Sequence, residues 1–208
     1  APLVKAMTEP PKPAKPAEIR RALKGAAQYL RDTQQGDGGW GDAATTAAAW
    51  MALRAMHTAG IQVEVPREKV ESYAERAAQG EAAGMAGTSR SSEVAGWVRI
   101  QAGLGRLDRP EAAGLADAIA DRYLGTETPN RISEWDYAAA FLIAQAFLLE
   151  DGPRWERWFP PAREYLVRIQ PPDGSWTIQY CSSCRTFGTT LAALTLATPN
   201  RLLPAGDM

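Results

Sequence analysis

The strongest constraint in this sequence is that it repeats itself across a long interval. Tyr29-Leu30, Gln34, Asp37-Gly38 and Trp40 recur as Tyr165-Leu166, Gln170, Asp173-Gly174 and Trp176, all six identities at one offset of 136 residues. Self-similarity at a fixed spacing marks stacked units, each too small to bury its own apolar face alone. The first copy follows an amphipathic stretch in which Ile19, Leu23, Ala26 and Leu30 share one stripe while Arg20, Arg21, Lys24, Gln28 and Arg31 lie elsewhere, the spacing of a surface helix. A second apolar stretch follows each copy, over residues 47–53 in the first and through Leu191, Ala192 and Leu194 in the second. The repeating unit is therefore helix, glycine-containing turn, helix.

An interval of 136 divides into three units of about 45, a length typical of helical-hairpin repeats, which predicts two degenerate copies in between. They fall at 68–78 with 91–103, separated by the glycine-rich 80–89, and at 111–124 with 134–149, separated by 125–131. Four hairpins, or eight helices, result. Alanine supplies 38 of 208 residues and is the best helix former, so the fold class is all-α. The inner segment at 134–149 carries two apolar stripes, Trp135, Ala139, Leu142, Ala146 and Leu149 on one and Tyr137, Phe141, Ala144 and Leu148 on the other. A helix apolar on two sides has neighbours on both. Amphipathic outer helices alternating with apolar inner ones predict a two-layer α/α arrangement, curved into a toroid-like arc with its inner layer around a core or cavity.

Lys+Arg of 23 against Asp+Glu of 24 leaves a net charge of −1, which excludes nonspecific attraction to nucleic acid or to an anionic membrane. The longest apolar run, 137–149, is 13 residues and contains Gln145, against about 20 needed to span a bilayer, so no transmembrane segment is expected. Residues 1–17 hold five prolines and three lysines without an apolar face and read as a solvated leader. A single α/α repeat domain is expected over 18–203, with a tail at 204–208. An alanine start followed by prolines suits a mature chain left by signal-peptide removal, which predicts export to the periplasm or the extracellular space. In that setting Cys181 and Cys184, the only cysteines, read as a disulfide closing a small turn. Free thiols or a metal or redox pair are the alternatives, and a zinc site would need two further ligands that the lone His57 cannot supply.

These residues carry a family resemblance. Lys24-Gly25, Tyr29-Leu30, Gln34, Gly38 and Trp40 look like one complete QW repeat, and Ala162, Tyr165-Leu166, Gln170, Gly174 and Trp176 look like a second without the leading basic residue. The chain resembles the prenyltransferase and squalene/hopene (terpene) cyclase repeat superfamily, whose fold is an α/α toroid. The resemblance implies that Tyr29, Gln34, Gly38, Trp40, Tyr165, Gln170, Gly174 and Trp176 are structural, the glutamine amide capping the following helix and the tryptophan ring packing against it. It also implies catalytic signatures, and they are missing: there is no D-x-D-D acid cluster, no D-D-x-x-D magnesium site, no Asp/Cys/His zinc set and no Cys-Gly-Glu-Gln thioester. No cofactor and no metal are expected.

A site in such a fold would gather where the turns entering the inner helices converge on one rim. Candidate rim residues are Asp42 and Thr46 from the first hairpin, Arg90 and Glu93 from the second, Trp135 and Tyr137 from the third, and Arg185 from the fourth. Glu134 and Asp136 are the best pair of carboxylates for acid/base chemistry. The bland alternative makes them first-turn acids facing a helix dipole and Asp42 an N-cap. The leading functional expectation is a non-catalytic α/α-repeat module that binds an apolar small molecule or a protein partner on its inner face. The alternatives are a diverged enzyme of the cyclase or prenyltransferase type, a carbohydrate-active α/α-toroid enzyme using Glu134 and Asp136, or a structural piece of a larger assembly. An open arc can also be completed by a second copy, so a homodimer belongs among the expected partners.

Overall fold

The computed structural model describes residues 15–85, 91–124, 137–177 and 184–200. Among them are eight α-helices and no strand: α1 (Pro16–Thr33), α2 (Ala43–Thr58), α3 (Arg67–Met85), α4 (Ser91–Gly103), α5 (Pro110–Leu124), α6 (Tyr137–Glu150), α7 (Pro153–Ile169) and α8 (Arg185–Ala197), followed by a 3-10 turn at Thr198–Asn200. The chain is all-α, as its alanine content and periodicity require. None of the described helices is long and apolar enough to cross a membrane. The first helix begins at Pro16, two residues inside the expected leader, because proline at the first helical position sacrifices only an N–H that has no intrahelical partner. Glu18 adds a reciprocal contact, its Oε2 accepting the Lys15 N–H at 3.1 Å.

The even-numbered helices form one row, α2 packing on α4, α4 on α6 and α6 on α8, while the odd-numbered helices lie against that row. At its centre α6 is covered nearly all round: ten of its residues, from Tyr137 to Leu148, are buried. Large side chains close the row from both layers, Trp50, Leu53, Ile100, Ile143, Phe147, Trp158 and Leu166 all being inaccessible to solvent. The approach of α2 to α4 depends on Gly96. A Cβ there would lie 2.4 Å from the Ala44 backbone nitrogen, far inside van der Waals contact.

The two clear sequence copies are also two copies of one hydrogen-bond set. Trp40 Nε1 donates to the Leu30 carbonyl at 2.7 Å and Trp176 Nε1 to the Leu166 carbonyl at 3.0 Å. Each tryptophan thereby ties its turn to the helix ten residues earlier. Gln34 Nε2 donates to the Gly38 carbonyl and Gln170 Nε2 to the Gly174 carbonyl, both at 2.9 Å. This corrects the expectation that the glutamine amide caps the next helix: each glutamine sits at a helix C-cap with extended backbone, so its side chain reaches into its own turn. The α2 cap is Asp42, whose carboxylate accepts the Thr45 N–H at 2.7 Å. Gly38 and Gly174 have φ of +87° and +76°, which a side chain would strain. Asp37 and Asp173 each accept the backbone N–H two residues on, from Gly39 at 2.8 Å and from Ser175 at 3.1 Å.

Candidate functional site

The row of even-numbered helices leaves an apolar groove of about 550 Å³ between α2, α6 and α8. From α2 it takes Ala44, Ala48, Met51 and Ala55, and from α8 Phe187, Leu191 and Leu194. Both sets follow the i, i+4, i+7 spacing of one helix face. Ala138, Phe141 and Leu142 of α6 form its floor. Thr45 is the one polar residue of the lining, and none of the lining residues ionises. Phe187 is 57 % exposed, so a large aromatic ring stands in water at the mouth of the groove.

The groove faces of α2 and α8 are equivalent. The Trp40 N–H donates to Thr46 Oγ1 at 3.0 Å, and the Trp176 N–H donates to Thr189 Oγ1 at 2.9 Å. Thr46 and Thr189 therefore occupy the same place, six residues after the tryptophan in one copy and thirteen in the other. In that register Ala44, Ala48 and Met51 correspond to Phe187, Leu191 and Leu194. Seven extra residues in the last turn, a stretch that contains Cys181 and Cys184, shift α8 out of the 136-residue offset.

The expected rim residues scatter by role. Thr46 is fully buried and spends its hydroxyl on the Trp40 backbone, so it belongs to the scaffold. Tyr137 is buried as well, its hydroxyl donating to the Thr177 carbonyl at 3.4 Å. Burial, with the neighbouring Tyr165 phenol adding to it, pushes the Tyr137 hydroxyl up to about 12, and a neutral phenol facing inward cannot serve an external ligand. Arg185 pairs with Asp173 at 2.8 Å and so ties the start of α8 to the Gly174 turn. The Asp173 carboxyl is held below its ordinary range chiefly by the Ser175 hydroxyl and N–H, with Arg185 contributing less. Asp42 and Glu93 do meet, on a polar hollow of about 500 Å³ shared with Asp37, Tyr73 and Arg76. Two of its groups hold the first turn, the Arg76 guanidinium donating to the Asp37 carbonyl and Tyr73 Oη to the Gly41 carbonyl. Arg90, Glu134, Trp135, Asp136 and Cys181 lie outside the described residues.

Sequence reasoning missed two features. One is the row Phe187, Leu191, Leu194, which the shifted register hides. The other is the pair Arg54 and Arg99 between α2 and α4. Arg54 lies over the Trp50 ring, 5.1 Å from its centroid, and donates to the Gly103 carbonyl at 3.2 Å, as suits a cation at a helix C-terminus. Arg99 is fully buried, and its Nε and Nη1 find no acceptor among the described residues. Burial, then repulsion from Arg54, lowers its guanidinium to about 9.

No protein-family model, no curated protein and no solved structure matches this chain.

Proposed function

We propose that this chain is a non-catalytic α/α-repeat module, an arc of the terpene cyclase and prenyltransferase kind, that binds an apolar small molecule in the groove between α2, α6 and α8. The observation that carries the reading is the groove face itself. Three helices turn alanine, leucine, methionine and phenylalanine toward a common hollow, with Thr45 the one polar residue among them. Its size is that of a small-molecule pocket, which typically spans about 300–1,000 Å³ and is lined mostly by apolar side chains. The same-register stripes on α2 and α8 support an arc whose first and last inner helices look at each other. With no ionisable group in the lining, recognition rests on apolar area, and the ligand is a hydrocarbon-rich molecule with at most a hydroxyl or carbonyl for Thr45. Export and a Cys181–Cys184 disulfide closing the longer last turn belong to the same proposal. An unreduced chain two hydrogens lighter than the reduced one is the expected mass.

Titration with N-phenyl-1-naphthylamine, an apolar dye that brightens out of water, tests the reading. Saturable one-site binding is expected, weakened at least tenfold in Ala48→Glu, where an exposed residue gains a charge inside the groove. Binding that does not saturate, or that Ala48→Glu leaves unchanged, overturns it.

A further inference from the structure

The two ends of the helix array are open in a complementary way. Four large apolar residues are strongly exposed among the described residues: Ile19 at 48 %, Tyr29 at 68 %, Val167 at 60 % and Phe187 at 57 %. Two belong to the first hairpin and two to the last. On α1 the residues Ile19, Ala22, Ala26 and Tyr29 are all exposed, and their spacing of three, four and three places them on one stripe. The 136-residue offset maps that stripe onto Trp155, Trp158, Ala162 and Tyr165 of α7. There it is covered: Trp158, Ala162 and Tyr165 are buried and Trp155 half-buried.

What covers it is the preceding hairpin. Phe147 of α6 meets Trp158 edge-on at 6.0 Å, and Arg154 and Arg157 reach across to Asp117 of α5 at 2.9 and 3.4 Å. The first hairpin thus presents the face that the fourth hairpin buries against the third. The last hairpin presents the other half of such a junction. Val167 stands nine residues beyond Trp158, half a turn around α7 at 100° per residue, and is exposed on the side away from the third hairpin. Glu156, Arg163 and Glu164 lie on that same side, all exposed.

We infer that a second copy of this chain docks the Val167 side of its α7 on the α1 stripe, continuing the array head to tail. The charges agree with this pairing. Arg21 stands on α1 where Arg157 stands on α7, and Glu156 and Glu164 of the arriving helix receive it as Asp117 and Asp121 receive Arg157. Glu18 stands in the place of Arg154, a reversed charge that suits Arg163. Terminal repeats that lack a polar cap associate through the apolar faces they expose, and a head-to-tail contact whose rotation between two copies is 180° is made twice and closes on itself as a dimer.

Sedimentation velocity of the full chain over a hundredfold range of concentration tests the inference. The wild type is expected to approach twice the chain mass of 22.5 kDa, and Ala26→Glu and Val167→Asp are each expected to stay at once that mass, with unchanged circular dichroism because both positions are exposed. An equimolar mixture of the two variants, which retains one intact head and one intact tail, is expected to recover a heterodimer. A wild type that stays monomeric, doubling that persists in Ala26→Glu, or a Val167→Asp variant that still doubles alone, as a contact of α1 with α1 would allow, overturns it.

Discussion

The first and last hairpins contain the same turn and differ in what surrounds it. Trp40 and Trp176 make the same two hydrogen bonds, to a helix carbonyl ten residues back and to a threonine hydroxyl ahead, and Gln34 and Gln170 make the same third. Yet Tyr29 is 68 % exposed where Tyr165 is 7 % exposed. Gly38 is pressed against α3 while Gly174 faces open space. The repeated residues thus encode a self-contained turn, and burial beyond it is conferred by the neighbouring hairpin. One motif can therefore be equally well formed in two places and contribute unequally to stability.

The largest expected inequality is at the tyrosines. Tyr165→Ala empties a site between α7 and the third hairpin and is expected to cost about 3 kcal/mol, read as a drop in urea midpoint at constant m-value. Tyr29→Ala, measured at a dilution where the chain is monomeric, is expected to stay within about 0.5 kcal/mol. Equal losses would mean that the first stripe is covered after all. At the glycines, Gly174→Ala is expected to cost about 1 kcal/mol for a side chain at positive φ. Gly38→Ala adds to the same strain a Cβ 2.2 Å from the Lys69 carbonyl oxygen, so its loss should be at least twice as large in the same assay. At the threonines, Thr46→Val leaves the Trp40 N–H buried without its acceptor and is expected to cost about 2 kcal/mol. Thr189→Val, at a half-buried site, should cost about half of that.

A smaller effect separates the copies by pH. The Tyr137 phenol, next to Tyr165 in the last copy, titrates near 10.0 when unfolded and is raised to about 12 in the fold. Its contribution is therefore complete below pH 10 and is lost as pH rises toward 12, since the unfolded chain releases a proton that the folded chain keeps. Between pH 10 and 11 this amounts to about 1 kcal/mol of lost stability. Tyr137→Phe should flatten that part of the profile, measured by urea midpoints at each pH. An unchanged slope would place the ionising group elsewhere.

Much of the fold is legible in the residues because its determinants are local. Helix periodicity and alanine content locate all eight helices, and α6 is apolar on two sides because it has neighbours on both. The turn is legible because Gln, Gly and Trp satisfy one another within ten residues. The groove is harder to read. Its α8 face uses the α2 register only after seven extra residues, so a search at one offset aligns Trp40 with Trp176 and then loses Thr46 against Thr189. Thr46 and Tyr137 look like rim residues because polar side chains near an inner-helix start suggest exposure, whereas each is folded inward to satisfy a backbone group. The exposure of Tyr29 is invisible for a related reason, since nothing in the motif states whether a hairpin stands in front of it.

Whether the hollow between α2, α6 and α8 receives an apolar ligand is read out by methyl carbon–proton NMR during titration with a long-chain fatty alcohol. Saturable shifts are expected at methyl groups that line the groove, those of Met51, Leu142, Leu191 and Leu194 among them, with Leu53, Ile100 and Leu166 unmoved in the core. Shifts centred on those core methyls, or none at saturating alcohol, would contradict binding in the hollow.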